Sequence, residues 1–324
     1  MRILILILSG MLCAMPVALG EVTTVGSGTV VTLNEENDKY VTPSTDKHYT
    51  QGLHVTILWP DECALFWMRP MTWLPDFDVA NPIHKYGFTF GQNIYTPIDI
   101  QTNALVTDDR PYAGWLYAGL IRENRGTFAG GIPVLDHLEV DAGIIGSWSE
   151  ADNIQIWFHG LIHVERPKGW HHQLNNEPGL LLNFDRKFLL WDSAAPGDDF
   201  HAQMLPHVGI NLGNVDTSAT IGTMFRLGYN FPNEFATNSP AGWGWYLFSS
   251  IDCHAVAYTE FLDGNMYHAS HSVDKEPVYA QFRAGLALIL RRVEISYTYN
   301  YLSKQFDQQD KYDAYASLNL IYRF

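Results

Sequence analysis

Residues 292–301 read Arg-Val-Glu-Ile-Ser-Tyr-Thr-Tyr-Asn-Tyr. Val293, Ile295, Tyr297, Tyr299 and Tyr301 fall on one side of an extended chain, Arg292, Glu294, Ser296, Thr298 and Asn300 on the other. A period of two marks a strand with one apolar and one polar face, because successive side chains in extended backbone point in opposite directions. The last stretch repeats the pattern, with Ala314, Ala316, Leu318, Leu320, Tyr322 and Phe324 against Asp313, Tyr315, Ser317, Asn319 and Arg323. Ala219, Ile221, Phe225, Leu227 and Tyr229 alternate in the same way with Thr220, Gly222, Arg226, Gly228 and Asn230.

A water-soluble sandwich also alternates, so three further features are needed to choose between the two. The strands run to ten or more residues, against a soluble mode of ~5–6. Tyrosines gather toward strand ends, as interfacial girdles require. The chain stops at Phe324 inside its last strand, an ending that resembles that of bacterial outer-membrane barrels. Only a closed barrel satisfies β backbone in lipid, and after residue 20 no apolar run of ~18 residues offers a helical span instead. The expected fold is therefore all-β, a twelve-stranded antiparallel transmembrane barrel.

Working outward from those segments, the sequence predicts strands at 28–36, 48–59, 84–95, 110–122, 135–145, 177–191, 201–212, 217–230, 245–260, 277–290, 292–303 and 312–324. An even count puts both termini on the periplasmic side. The connections 37–47, 96–109, 146–176 and 261–276 then lie outside, and Leu290-Arg291-Arg292 is a tight periplasmic turn. One external connection carries a helix. In Ser-Glu-Ala-Asp-Asn-Ile-Gln-Ile-Trp-Phe-His-Gly-Leu-Ile-His-Val-Glu-Arg-Pro (149–167), Ser149 is the expected N-cap, with Asp152 three residues on. Ala151, Ile154, Trp157 or Phe158, and Leu161 recur at helical spacing, and Pro167 enforces the end.

Composition agrees. Of the 324 residues 17% are charged, below the usual ~25%, while a mean hydropathy of -0.10 excludes a helical membrane protein. Twenty basic against 35 acidic residues give a net charge of -15, the wrong sign for a nucleic-acid binder. Three cysteines exclude a disulfide scaffold and a Cys-rich metal site. Arg2, the apolar run Ile3 to Leu8, and Ala18-Leu19-Gly20 before Glu21 form a secretory signal peptide. Residues 1–20 are thus expected to be removed, leaving 21–324 as one barrel. A lipoprotein signal at Cys13 is disfavoured by the large Leu12 before it. Whether Cys63 and Cys253 pair is open at this point.

The topology gathers Asn37, Asp38, Thr50 and His159 at one rim from four distant places in the chain. Taken singly, each reads as a solvated rim residue. Residues 36–38 (Glu-Asn-Asp), 45–52 (Thr-Asp-Lys-His-Tyr-Thr-Gln-Gly), 92–97 (Gln-Asn-Ile-Tyr-Thr-Pro), 108–117 (Asp-Asp-Arg-Pro-Tyr-Ala-Gly-Trp-Leu-Tyr) and 169–178 (Gly-Trp-His-His-Gln-Leu-Asn-Asn-Glu-Pro) add to this. Together they resemble the lipid A 3'-O-deacylase family of outer-membrane proteins. The resemblance implies a twelve-stranded barrel that hydrolyses an ester-linked acyl chain of lipid A, using calcium and a histidine base. It also implies lipopolysaccharide and membrane lipids as partners in the outer membrane, with the active site at the extracellular rim; the oligomeric state is open at this point, a monomer being favoured.

Carried onto this sequence, the resemblance implies that Asn37 and Asp38 hold Ca2+, a hard cation that takes oxygen ligands. Thr50 corresponds to a hydroxyl near the ester. His159, four residues after Gln155, corresponds to the general base, and Glu165 to an acid that orients it, although a solvated acid past a helix end is an equal reading. The loop 98–107 has no basic residue where a family member carries lysine. Arg110 either compensates or is a barrel arginine paired with Asp108 or Asp109. His159 and His163 have a zinc-compatible i, i+4 spacing, without a third ligand or the glutamate of zinc proteases. His171-His172 reads as a surface pair. No Gly-x-Ser-x-Gly supports a serine nucleophile. A non-enzymatic channel or structural barrel, and a phospholipase-type acyl hydrolase, are the competing functions.

Overall fold

The computed structural model describes residues 28–41, 48–63, 65–195, 198–235 and 242–324. The signal peptide with Cys13, and Thr45 to Lys47 of the second motif, lie outside the described residues. The strands are β1 (Val30–Asn37), β2 (His48–Pro60), β3 (Ala80–Thr96), β4 (Ala113–Phe128), β5 (Ile132–Ile145) and β6 (Glu177–Phe188). They continue as β7 (Trp191–Asp192), β8 (Phe200–Gly213), β9 (Asp216–Tyr229), β10 (Trp243–Thr259), β11 (Val278–Leu290), β12 (Val293–Leu302) and β13 (Asp313–Arg323). Each long strand pairs antiparallel with the next, β6 pairs with β8, and β1 pairs with β13. That closes a barrel of twelve strands, with the two-residue β7 a short rung on β8.

The wall is apolar outside and polar inside, the inverse of a soluble core. Ser296, Thr298, Asn300 and Ser317 are buried, while Leu286, Leu288, Ile295, Leu318 and Leu320 are exposed. An exposed apolar wall of this extent is what lipid requires. Cys63 and Cys253 are exposed free thiols, so the cysteine pair left open above is not formed.

Strand boundaries shift from expectation where strands outrun the lipid. β3 starts at Ala80 rather than 84, and β4 runs on to Phe128, where Gly130 (φ 77°) and Gly131 (φ 84°) make the turn into β5. Only glycine adopts that backbone without cost. The turn at 291–292 is as expected, with Arg291 at φ 55°. The two barrel ends are called here the near end, which carries Val30 and Arg323, and the far end.

The far-end helix spans Ala151–Ile162, but Ser149 does not cap it. The Ser149 hydroxyl donates instead to the Gly146 carbonyl (2.6 Å), and Glu150 occupies the cap position at φ 59°. The helix closes before Pro167, at His163, whose left-handed backbone (φ 58°) sends its N–H to the His159 carbonyl. Its buried face is Ala151, Gln155 and His159, whereas Trp157 and Leu161 are exposed. This inverted amphipathicity follows from where the helix lies, between the barrel wall and the membrane side.

Candidate active site

Alternation assigns each strand residue to the lumen or the outer wall. On β3, Lys85, Asn93 and Tyr95 face the lumen, so Gln92, Ile94 and Thr96 face outward. On β1, Glu36 faces the lumen, where Tyr49 donates to it at 2.6 Å and Ser317 at 2.8 Å. Its neighbour Asn37 therefore leaves the strand on the outer wall, opposite Gln51. β2 would ordinarily send Thr50 into the lumen with Gly52, His54 and Thr56. A register shift between Tyr49 and Gln51 prevents this. Thr50 is the extra residue of a bulge, which re-aims a side chain to the other face. Tyr49 turns inward, and the Thr50 hydroxyl meets that of Thr96 at 2.7 Å on the outer wall.

Asn37, Asp38, Thr50 and Thr96 are all buried although they stand on or beside the outer wall. The far-end helix packs on the adjoining wall of β3 and β4. Ala151 joins Ile94, Ile100, Tyr112 and Trp170 in one apolar cluster, and Gln92 donates to the Ser149 carbonyl (2.6 Å). Trp170 donates its indole N–H to Gln155 (2.7 Å), which holds the helix by its buried face. His159 is buried one turn further along that face. The structure thus brings Asn37, Asp38 and Thr50 into one patch of β1, β2 and β3, and sets His159 on the helix docked against the neighbouring wall.

Glu165 sits differently from its reading as a carboxylate partner. Its side chain is exposed, and its main-chain carbonyl accepts from His159 Nδ1 at 2.5 Å. A carbonyl only accepts, so Nδ1 carries the proton and Nε2 is the basic nitrogen. His163, at the helix cap, is exposed with its Nδ1 at the Gly160 carbonyl (3.0 Å), so it shares no site with His159. The His171 and His172 rings meet tilted by 43° with centroids 4.0 Å apart, and His172 reaches the Asn103 carbonyl. Arg110 does not pair through its guanidinium with Asp108 or Asp109. That group lies over the Tyr95 and Phe306 rings (5.5 and 5.8 Å) and donates to Gln305 (3.1 Å). It faces a lumen cavity of about 310 Å³ that Glu36, Tyr49 and Tyr315 also line.

Sequence reasoning missed His48. Its ring nitrogens reach Asp313 (2.5 Å) and Asp109 (3.2 Å), tying the starts of β2 and β13 to the loop before β4. Burial raises the Asp109 carboxyl pKa. The His48 hydrogen bond and charge, with the N–H groups of Ile98 and Arg110, outweigh burial and hold it below its ordinary value. The available signal was position, since His48 and Asp109 both sit in the motif stretches.

The residues present suit a calcium ion in kind. Asn37 and Asp38 offer amide and carboxylate oxygens, Thr50 and Thr96 hydroxyls; all four are buried, Asp38 in the turn that follows β1 and the other three on neighbouring strands. Among the described residues no cluster of three or more His, Cys, Asp or Glu forms a metal cage. A hard cation here would draw on amide, hydroxyl and main-chain oxygens as well as Asp38.

A family model described as outer membrane protein LpxR matches residues 4–324. In structure the chain is similar to LpxR from Salmonella typhimurium, with 18% identity over 91% of this chain and 100% of that one, at a TM-score of 0.73. It is also matched by the beta domain of the Bordetella autotransporter Brka, with 10% identity over 92% and 98% and a TM-score of 0.44. No curated protein sequence matches it.

Proposed function

The chain belongs to the LpxR outer-membrane protein family, and from that premise we propose that it hydrolyses an ester-linked acyl chain of lipid A, at the 3'-position. The observation that carries this reading is His159. It is a buried imidazole with Nδ1 fixed on a carbonyl, borne by the helix docked on β3 and β4, the wall next to the patch of Asn37, Asp38 and Thr50. With the far end extracellular, that patch lies beside the outer leaflet, so an acyl ester reaches it sideways without leaving the membrane.

In this mechanism His159 Nε2 takes a proton from water as the water oxygen bonds to the ester carbonyl carbon. The π electrons of the carbonyl move onto its oxygen. When the tetrahedral species collapses, the bond to the sugar oxygen breaks, and that oxygen takes the proton back from Nε2. General base catalysis of this kind contributes typically 10²–10⁴-fold. The Thr50–Thr96 hydroxyl pair has one proton to direct toward the developing oxyanion. Calcium, when bound by Asn37 and Asp38, supplies positive charge for that oxyanion, an effect of several kcal/mol. The Glu165 carbonyl keeps the imidazole in the tautomer the base needs, and we read the protein as acting as a monomer.

Fatty-acid release from purified lipid A, titrated with calcium, tests the assignment. Wild-type activity should vanish in excess chelator. Asp38→Asn, which removes the formal charge, should need more calcium and regain part of the activity. Undiminished wild-type activity in chelator would refute the calcium role, and Asp38→Asn with an unchanged calcium requirement would refute the ligand assignment.

A further inference from the structure

A second element packs on the outside of the barrel, at the near end and independent of the hydrolase reading. Between β2 and β3, residues 65–78 form a short helical turn (Phe66–Met68, then Arg69–Thr72) and a return that turns at Phe77 and Asp78 (φ 48° and 61°). Met68 and Met71 point at the wall and are buried with Tyr86 and Leu138, while Trp67 meets Phe88 edge-on at 6.0 Å. On β3, Tyr86 and Phe88 alternate with lumen-facing Lys85, so this contact is on the lipid side.

Beneath the segment are charges that bare lipid would not tolerate. Arg122 stands opposite Tyr86 and Leu138 in the ladder, hence on the outer wall. It is 2% exposed. Its guanidinium donates to the carbonyls of Met71 (3.3 Å), Leu74 (2.5 Å) and Pro75 (3.4 Å) and pairs with Asp76. Nearby, Arg186 holds Asp136 through two bonds of 2.6 and 2.7 Å and reaches the Phe77 carbonyl at 2.7 Å. An arginine on a lipid-facing wall is costly away from the interface. The segment is therefore pinned to the wall by the groups it shields.

Its other face is strongly apolar. Phe66 is 79% and Trp73 82% exposed, with the exposed Leu65 beside them. Phe66 and Trp73 continue the barrel's own lipid-facing surface at its near-end margin, where tryptophan is enriched because its ring is apolar and its N–H seeks the headgroups. We propose that residues 65–78 form a membrane-interface anchor, with Phe66 and Trp73 inserted at the headgroup–acyl boundary of the phospholipid leaflet at this end. The occupant is phospholipid because the segment that presents these side chains is itself packed on the lipid-facing wall, on Tyr86, Phe88 and Leu138.

The test uses the full chain in phosphatidylethanolamine/phosphatidylglycerol nanodiscs. On a Cys63→Ser, Cys253→Ser background, Phe66→Cys and Trp73→Cys carry spin labels, with Leu288→Cys as the wall control and Asp310→Cys as the aqueous one. Collision with oxygen should exceed collision with a water-soluble nickel chelate at 66 and 73, as at 288 and unlike at 310. Nickel-dominated values at both positions would overturn the anchor. Wild-type protein with a diazirine phospholipid gives a second readout that needs no substitution, with adducts expected within 65–78. Adducts confined to the strands, or a dimer in solution that buries the patch, would also overturn it.

Discussion

The barrel carries two covers on its outer wall, one at each end, and they are built alike but hold different contents. At the far end the helix Ala151–Ile162 lies over β3 with Gln155 and His159 turned inward. At the near end the segment 65–78 lies over the same strand with Met68 and Met71 turned inward. Both leave aromatic side chains, Trp157 above and Trp73 below, on the membrane side. The difference is in the polar groups beneath. The near-end charges pair with each other and with carbonyls, Arg122 with Asp76 and Arg186 with Asp136. The far-end groups are an imidazole fixed through one nitrogen, two hydroxyls and an amide–carboxylate pair. We propose accordingly that the near-end cover serves attachment and the far-end cover chemistry, with His159 as base and Asn37 and Asp38 as oxygen ligands.

The comparison breaks first at the base. His159→Asn should lower fatty-acid release by roughly 10²–10⁴-fold at every calcium concentration, because an amide cannot take the proton. Heat-modifiable migration should be unchanged, since the barrel ladder is untouched. At the near end the expectation reverses. Arg122→Leu removes the bonds to three carbonyls and to the part-exposed Asp76, and should cost about 2 kcal/mol in guanidinium unfolding, with activity at the other end within about twofold of wild type. A larger loss of activity would show the two covers to be coupled. Thr50→Val leaves the buried Thr96 hydroxyl without its 2.7 Å partner and should cost about 1 kcal/mol. Thr50→Ser should restore both stability and turnover.

The smallest effect concerns a buried acid inside the far end. Glu260 is pushed up to about 8 by burial and by the Glu177 carboxylate nearby, against one bond from Asn265. Its folded pKa lies above its ordinary 4.5, so the folded state holds the extra proton. Stability is therefore full below about pH 4.5 for this group and declines as pH rises through 8. The unfolding midpoint of wild type should fall between about pH 5 and 8 and level off above that, and Glu260→Gln should flatten that fall.

The wall was legible because alternation sustained over ten or more residues, with tyrosines at strand ends, singles out a barrel, and all twelve strands are present with their ends shifted at β3 and β4. The family was legible from the motif stretches. The side of the wall on which the site lies was not, because the bulge at Thr50 adds one residue and reverses the parity that alternation assigns. The role of Glu165 was read from its carboxylate, whereas its contact runs through a main-chain carbonyl that any residue supplies. Helix capping went astray for a similar reason. A serine before a helix is a good cap in general, but the Ser149 hydroxyl is already spent on Gly146. The near-end cover escaped notice because its partners, Arg122 and Asp136, are polar residues on the face that the barrel pattern reserves for apolar ones.

Mass spectrometry of lipid A after incubation with the purified protein tests the central reading most directly. Wild type should yield a species lighter by one ester-linked acyl chain together with the matching free fatty acid, and His159→Asn should yield neither. Intact lipid A with the wild-type protein in the presence of calcium, or the same product from His159→Asn, would contradict it.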